Sequence, residues 1–426
     1  MEDVLGIEAF LTNLPGIGGR LRITPEDFVV EEISVSLPVA DDGRYAAARV
    51  RARNWETNRL VRHLARTLRI SRKRIRFAGT KDKRAVTTQL VQFDDPPESL
   101  ERLNIKDVEI LDVFRTDKRL ELGDLLGNLF RIEIGDIGMS QSDTLGRVSR
   151  IADSIMEIGG FPNFFGVQRF GAVRPVTHII GKKICQGDFE GAVMSYIGNP
   201  FPTEAEDVQA ARRSVDSSRD FPEALRTFPR HLSFERAILN HLVTNPNDFA
   251  GSIQSLPLNL QMMFVHAYQS YLFNRMLSER LNRGLPLNEV IVGDVILPAT
   301  QDGLPDRREH ILVNEGNMAK ATRRVREGKG FVSGIIFGAE PRFASGEMGE
   351  IEESVRESEG VEPEDFLIPK IPRISSKGLR REILGPLKDF EFQVMDESVR
   401  MSFGLIPGCY ATSLLREFMK GDMMDY

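Results

Sequence analysis

The chain has 426 residues, of which 41% are hydrophobic and 28% are charged, and its formal net charge is −6. A chain of this length is expected to divide into two or three domains of roughly 100–200 residues. It has no run of about 18 apolar residues, which argues against a membrane span. Its start, Met1-Glu2-Asp3, is acidic and unlike a signal peptide. We therefore expect a cytoplasmic protein.

Cysteine and histidine are scarce, with two and six residues respectively. Cys185 and Cys409 lie far apart and form no Cys-x-x-Cys pair, so the pattern does not predict a zinc site. Unpaired cysteines fit a reducing compartment. Either cysteine could act as a nucleophile, but a small buried apolar side chain is the simpler interpretation. The sequence therefore offers too few ligands for a zinc cluster.

Charge is distributed unevenly along the chain. Residues 59–84 contain eleven basic side chains and one acid, Asp82, whereas residues 347–365 contain nine acids and one basic residue, Arg356. Local charge, and not net charge, decides where a polyanion binds. The basic segment therefore predicts a nucleic-acid contact. The acidic segment, residues 345–365, is interpreted as a surface loop or a flexible connection.

The predicted elements begin with two strands. Residues 27–35 are rich in β-branched side chains, and residues 45–53 alternate so that their arginines share one face. A helix follows from about Thr57, its predicted N-cap. After a glycine-containing loop at residues 78–84, residues 86–93 again predict a strand.

The helix that follows Thr57 is predicted to be amphipathic. Its apolar positions are Leu60, Val61, Leu64 and Leu68. Its opposite face carries Arg59, Arg62, Arg66 and Arg69. Further along the chain, residues 145–158 and 262–283 predict two more helices. Strands and helices that do not alternate regularly indicate an α+β fold.

The loop at residues 78–84 is the first candidate site. Asp82 stands among Lys81, Lys83 and Arg84. Flanking cations favour an ionised carboxylate, which suits nucleophilic attack or proton abstraction beside a polyanion. A solvated turn whose aspartate pairs with its neighbours is the simpler local interpretation. The loop does not match a nucleotide-binding phosphate loop.

Two other segments combine aromatic and polar side chains. Residues 162–171 hold three phenylalanines with Asn163, Gln168 and Arg169, a set that can stack and read a base. A buried aromatic turn explains the same pattern equally well. In residues 408–413, Tyr410 precedes a predicted helix, whose N-terminus could bind a phosphate or a carbonyl oxygen. An ordinary loop-to-helix entry is the alternative.

Four segments together resemble the TruD family of tRNA pseudouridine synthases. They are residues 24–32, 77–85, 163–171 and 407–417, and they occur in the family's order over most of the chain. The resemblance implies an enzyme that isomerises uridine to pseudouridine in tRNA, at uridine 13 of the D-arm, with tRNA as its partner. It implies no metal or organic cofactor. The alternative is a catalytically silent RNA-binding protein on the same scaffold.

The resemblance also implies roles for particular residues. Asp82 is expected to be the catalytic nucleophile. Substrate contacts are expected from Phe28, Asn163, Phe165, Tyr410, Arg22 and Lys81. Two positions depart from the family pattern: Phe164 stands where tyrosine is common, and Tyr410 stands where phenylalanine is frequent. Neither departure affects the assignment of Asp82.

The implied fold is an α+β catalytic domain whose mixed or antiparallel sheet is interrupted by an inserted α+β TRUD domain. Its first part is expected at residues 1–175, the insertion at 176–374 and the C-terminal part at 375–426. Contacts with the RNA backbone are expected from Arg59, Arg62, Arg66, Arg69, Lys83, Arg84, Arg380 and Arg381. No obligatory protein partner is expected.

Overall fold

The structure, a computed structural model, describes residues 2–171, 173–422 and 425. The chain divides into two compact units. We call Thr12–Phe161 with Gly385–Tyr426 the sheet unit, and Met1–Leu11 with Pro162–Leu384 the insertion unit. The predicted α+β fold class is confirmed, and the larger sheet is mixed.

The two compact units divide the chain at 161/162 and 384/385, whereas the predicted domain boundaries at 175/176 and 374/375 stay a prediction. Residues 162–175 belong to the insertion unit because their backbone is bonded there: the amide of Asn163 donates to the carbonyl of Ile383, and that of Phe165 donates to Asn274. The carbonyl of Gly6 accepts from Ser278 in the same unit. The sequence offers no local signal for these long-range bonds, which set the boundaries at 161/162 and 384/385.

The strands of the first sheet are β1 (Arg20–Leu21), β2 (Phe28–Ser34), β3 (Tyr45–Arg53), β4 (Ile75–Phe77), β5 (Val86–Phe93), β6 (Val108–Thr116), β7 (Leu125–Gly135), β8 (Gly160–Pro162), β13 (Leu384–Val394) and β14 (Val399–Leu405). Within the described residues, these ten strands form one sheet, in the order β6-β3-β5-β2-β7-β14-β13-β8, with β1 paired to β7 and β4 paired to β5. Strands β2 and β5 pair in parallel, whereas β1–β7, β2–β7, β7–β14, β13–β14, β3–β5, β3–β6 and β4–β5 are antiparallel. The predicted strands at 27–35, 45–53 and 86–93 are thus confirmed within a residue or two.

The helices of the sheet unit are α1 (Thr57–Leu68), α2 (Gln141–Ile158) and α12 (Ala411–Met419). Helix α1 buries Leu60, Val61 and Leu64 against Val91 and Phe93 of β5 and other apolar side chains. Removing these side chains from water holds the helix on the sheet. Its arginines remain on the exposed side, as its periodicity predicts.

One detail of α1 was predicted wrongly. The N-cap is Glu56, whose carboxylate accepts from the backbone amides of Asn58 and Arg59 at 2.8 Å each. Thr57 is instead buried, and its hydroxyl accepts from the amide of Lys81. Threonine is a common N-cap, so local propensity favoured Thr57. Its hydroxyl instead accepts a hydrogen bond from the loop that carries Lys81.

The insertion unit is mostly helical. Its helices are α3 (Thr177–Cys185), α4 (Phe189–Ile197), α5 (Glu206–Ser218), α6 (Phe221–Thr227), α7 (Ser233–Thr244), α8 (Phe249–Gln254), α9 (Leu258–Asn282), α10 (Met318–Arg326) and α11 (Gly346–Glu359). Its strands β9 (Val295–Pro298), β10 (Ile311–Leu312), β11 (Gly330–Ile336) and β12 (Leu379–Glu382) form a second sheet in the order β10-β9-β11-β12. The predicted long helix at 262–283 is α9, which is buried over much of its length.

The acidic segment is not a loop. Most of residues 345–365 form α11, which buries Met348, Ile351 and Val355 at helical spacing. The many charged residues of this segment led to the prediction of a loop. Its three apolar side chains, spaced three and four residues apart, are nevertheless sufficient for an amphipathic helix face. Among the residues that the structure describes, none of the helices has the length and apolar content that spanning a bilayer would need.

Candidate active site

Asp82 lies in the loop between β4 and β5, and its side chain is 51% exposed. Its Oδ2 accepts a hydrogen bond from Nη2 of Arg22 at 2.8 Å. The Arg22 guanidinium in turn lies 4.1 Å from the centre of the Phe28 ring. Arg84 donates to the carbonyl of Arg22 at 2.9 Å. The structure therefore brings four of the predicted residues together from two segments that are 60 residues apart.

Arg22 holds the Asp82 carboxylate in one orientation. The guanidinium lies over the Phe28 ring while its Nη2 donates to the carboxylate, and only 12% of its side chain is exposed. Burial lowers the pKa of Arg22 from its usual value, and the charge of Asp82 opposes that shift. Its backbone is in the left-handed region at φ 58°, which is uncommon for a residue with a Cβ. A cation–π contact and an ion pair thus act on the same side chain.

The Lys81 ammonium is held in an ion pair, and its contact with substrate stays a prediction. Its Nζ is ion-paired with Glu32, and the two side chains are 5% and 0% exposed. Glu32 also accepts from the amide of Leu90 at 3.3 Å and from the hydroxyl of Ser34 at 3.0 Å. A buried charge needs such partners. Lys81 therefore anchors the loop that carries Asp82 to the sheet beneath it.

The backbone of the Asp82 loop has a second anchor. The amide of Lys81 donates to Oγ1 of Thr57 at 2.8 Å, and the amide of Gly123 donates to the carbonyl of Ala78 at 2.8 Å. Gln89 lies 3.5 Å from the carbonyl of Gly79 through its Nε2. With these bonds at its start, the loop leaves Lys83 and Arg84 exposed.

The basic residues of α1 form an exposed face. Arg59, Arg62 and Arg66 are all exposed, and Arg69 follows at the C-cap in a left-handed conformation. Arg59 lies 5.2 Å from the ring centre of Trp55. We call Arg59, Arg62, Arg66 and Arg69 the α1 basic face.

Arg380 and Arg381 were predicted to contact the RNA backbone, but the structure places both in the interior. They are 1% and 4% exposed. Arg380 donates to Oε1 of Glu352 at 2.7 Å, and Arg381 donates to Oδ1 of Asn163 at 2.8 Å. Guanidinium groups that are buried and occupied in this way do not present their charge to a phosphate.

The other predicted substrate contacts are distributed over both units. Asn163 and Phe165 belong to the insertion unit and are buried there. Tyr410 belongs to the sheet unit, where it is the half-buried N-cap residue of α12. Their contact with substrate stays a prediction. Cys185 is buried, which raises the pKa of its thiol, as expected for an unreactive core residue.

The described residues contain no group of three or more His, Cys, Asp or Glu side chains that could hold a metal ion. Around Asp82, the structure combines an exposed carboxylate, a buried arginine that orients it, and a loop that is bonded to β2 and α1. The carboxylate can serve as an oriented oxygen nucleophile.

A model of the family tRNA pseudouridine synthase D (TruD) matches residues 4–418. The chain belongs to the TruD family. A relative from Methanococcoides burtonii, named "Probable tRNA pseudouridine synthase D", is 44% identical over 99% of this chain and 97% of its own length. A relative of the same name from Pyrococcus furiosus is 37% identical over 99% of this chain and 100% of its own length. A crystal structure described as "Putative tRNA pseudouridine synthase D (TruD)" from Methanosarcina mazei has a TM-score of 0.87 and 42% identity, over 100% of this chain and 98% of that chain.

Sequence reasoning missed Glu32 as part of this TruD-family site. In β2, burial alternates so that Phe28, Val30 and Glu32 share the inward face. An acidic residue on an otherwise apolar face indicates a buried cation nearby. That alternation was visible in the sequence, although it could not show that the cation is Lys81.

Proposed function

We propose that this chain converts uridine to pseudouridine in tRNA, at uridine 13 of the D-arm, with Asp82 as the nucleophile. The observation that carries this proposal is the half-exposed Asp82 carboxylate, ion-paired with Arg22, in a chain of the TruD family. The name of the relatives, "Probable tRNA pseudouridine synthase D", supports tRNA as the substrate. We also propose that the reaction takes place in the cytoplasm.

The reaction is an isomerisation and needs no redox partner. The Asp82 carboxylate attacks the nucleoside, and the bond between N1 of uracil and C1′ of the ribose breaks. The uracil then rotates and bonds to C1′ through C5. C5 loses its proton, N1 gains one, and Asp82 leaves unchanged. Arg22 contributes by fixing the carboxylate before the attack, because a preoriented group loses less entropy in the transition state.

We further propose that the α1 basic face, with Lys83 and Arg84, contacts tRNA phosphates. These side chains are exposed and lie on the unit that carries Asp82. Each arginine or lysine that neutralises a phosphate releases counterions, which makes binding stronger and dependent on salt. The face therefore supplies affinity, whereas the Asp82 loop supplies chemistry.

The decisive experiment replaces Asp82 by asparagine. We expect the single-turnover rate on tRNA to fall by roughly 10³-fold or more, because the nucleophilic oxygen is lost. The affinity for tRNA should stay within about threefold, or increase slightly, because one negative charge is removed. Pseudouridine is mapped by sequencing tRNA that was treated with each variant.

Asp112→Asn is the matched control. Asp112 is exposed in the same unit and also lies beside an arginine, Arg49, at 3.8 Å. It should convert tRNA at the wild-type rate. An Asp82→Asn variant that retains activity would rule out Asp82 as the nucleophile. Wild-type protein that binds tRNA but forms no pseudouridine would favour the silent RNA-binding alternative, and product at another position would contradict uridine 13.

A further inference from the structure

A single guanidinium in the insertion unit contacts two of the predicted substrate residues. Arg381 donates from Nη1 to the carbonyl of Asn163 at 2.6 Å and from Nη2 to its Oδ1 at 2.8 Å. Its Cζ also lies 3.8 Å from the centre of the Phe165 ring. The forked, planar shape of the guanidinium allows both oxygen contacts and the ring contact at once.

The amide of Asn163 is fixed from its other side as well. Its Nδ2 donates to the carbonyl of Glu382 at 3.1 Å and lies 3.5 Å from Oε1 of the same residue. Glu382 is buried and accepts two contacts from Nη2 of Arg307, at 2.8 and 3.0 Å. Because oxygen and nitrogen of the amide have different partners, Asn163 has one preferred orientation.

Phe165 is held through its backbone and through its ring. Asn274, which is buried, accepts from the amide of Phe165 at 2.8 Å and donates to its carbonyl at 3.0 Å. The ring of Phe273 meets that of Phe165 edge-on at 5.5 Å between centroids. The Arg381 guanidinium also lies 4.9 Å from the centre of the Phe273 ring. The guanidinium and the two rings therefore pack against one another, and Asn274 fixes the backbone of Phe165 at both its amide and its carbonyl.

The neighbouring arginine shows what a structural role alone looks like. Arg380 pairs with Glu352 and with the carbonyls of Arg342 and Ser333, none of which is a predicted site residue. Arg381 is also buried, and it contacts Asn163, Phe165 and Phe273. Burying a guanidinium costs free energy of desolvation, so the contacts that it makes are expected to stabilise the fold or to support activity.

We propose that Arg381 and Asn274 are positioning residues for the uridine. They hold the Asn163 amide and the Phe165 ring in the orientation that the isomerisation uses. The inference rests on the proposed function and on the predicted roles of Asn163 and Phe165. It assigns no substrate contact to Arg381 or Asn274.

The test compares Arg381→Lys with Arg380→Lys. Lysine retains the positive charge, but its single ammonium cannot contact both oxygens of Asn163 and lie flat on Phe165. We expect Arg381→Lys to lower the single-turnover rate at saturating tRNA by at least about tenfold, because small displacements of positioned groups are costly. Its dissociation constant for tRNA should stay within about threefold. Arg380→Lys should lower the melting temperature comparably but keep the rate within about threefold.

Two outcomes would overturn the inference while leaving the proposed function intact. One is an Arg381→Lys rate near that of wild type. The other is an equal loss of rate in both variants, which would indicate general loosening of the unit. If wild-type protein makes no pseudouridine, the proposed function fails, and the inference fails with it.

Asn274→Ala keeps the test decisive if Arg381→Lys does not fold. It removes the side chain that fixes the Phe165 backbone and leaves the guanidinium in place. The same lower rate at saturating tRNA, with unchanged affinity, supports the inference, and a wild-type rate overturns it.

Discussion

Helix α1 and strand β12 both carry arginines that the sequence predicts to bind RNA, and the structure gives them opposite environments. Arg62 and Arg66 project from α1 into solvent. Arg380 and Arg381 leave opposite faces of β12, and both end in the interior. Two adjacent arginines on a strand must face opposite sides, so one of them is always directed away from the surface that the other occupies.

The difference shows that a basic segment is a binding surface only if nothing in the fold takes up its charge. Arg380 has Glu352 of α11 as a partner at 2.7 Å, whereas Arg62 is exposed and donates to the carbonyl of Asn58 at 3.3 Å. A paired, buried guanidinium stabilises or positions protein groups. An exposed one can neutralise a phosphate and release the counterions that the phosphate holds. Substitutions in the two regions should therefore affect different measurements.

The largest effect is expected from Glu352→Ala. It leaves the Arg380 guanidinium buried without its carboxylate, which costs about 3–5 kcal/mol in the free energy of unfolding. The salt dependence of tRNA binding should not change. Denaturant unfolding and filter binding at several salt concentrations measure the two quantities. Glu353→Ala is the control, because the Glu353 carboxylate that pairs with Arg356 is 45% exposed, and it should change the free energy of unfolding by no more than about 1 kcal/mol.

An intermediate effect is expected from reversing Arg62 and Arg66 to glutamate together. If each contacts a phosphate, the slope of log affinity against log salt should decrease by roughly 0.7–0.9 per contact. Both side chains lie opposite the buried side of α1, so the free energy of unfolding should change by only about 0.5 kcal/mol.

The control for that experiment reverses Arg226 and Arg308, which are highly exposed in the insertion unit. It makes the same change in net charge. An unchanged slope in the α1 variant, or an equal decrease in both variants, would show that the α1 basic face does not contact tRNA.

The smallest effect concerns Trp55, the single tryptophan of the chain. Its ring lies 5.2 Å from Arg59 and 5.4 Å from the ring of His63. We expect tRNA binding to change the fluorescence of Trp55. The tRNA concentration at half of that change should be higher in the Arg62/Arg66 variant. Trp55→Leu should weaken binding by about 0.5–1 kcal/mol through loss of the cation–π contact that holds Arg59. A fluorescence signal that is insensitive to saturating tRNA would place the contact elsewhere.

Local regularities of this protein could be predicted from its sequence. The strand at Tyr45–Arg53 and the strand at Val86–Phe93 follow from alternation and β-branched residues, and the apolar side of α1 follows from a period of 3.6. These features depend on residues that are close in sequence. The group of Asp82, Arg22 and Phe28 was proposed from a family resemblance, because no local pattern joins residues 60 positions apart.

The tertiary structure alone decided which charges are buried and what they pair with. Lys81 and Lys83 lie two positions apart in one basic loop, yet Lys81 is buried on Glu32 and Lys83 is exposed. Arg381 meets Asn163 across 218 positions. Alternation and periodicity describe how one segment directs its side chains, whereas burial depends on what the rest of the chain places against that segment. The sequence therefore determined β2, β3, β5, the helices with a clear apolar period and the basic segments, and the packed fold determined which cations remain available to bind RNA.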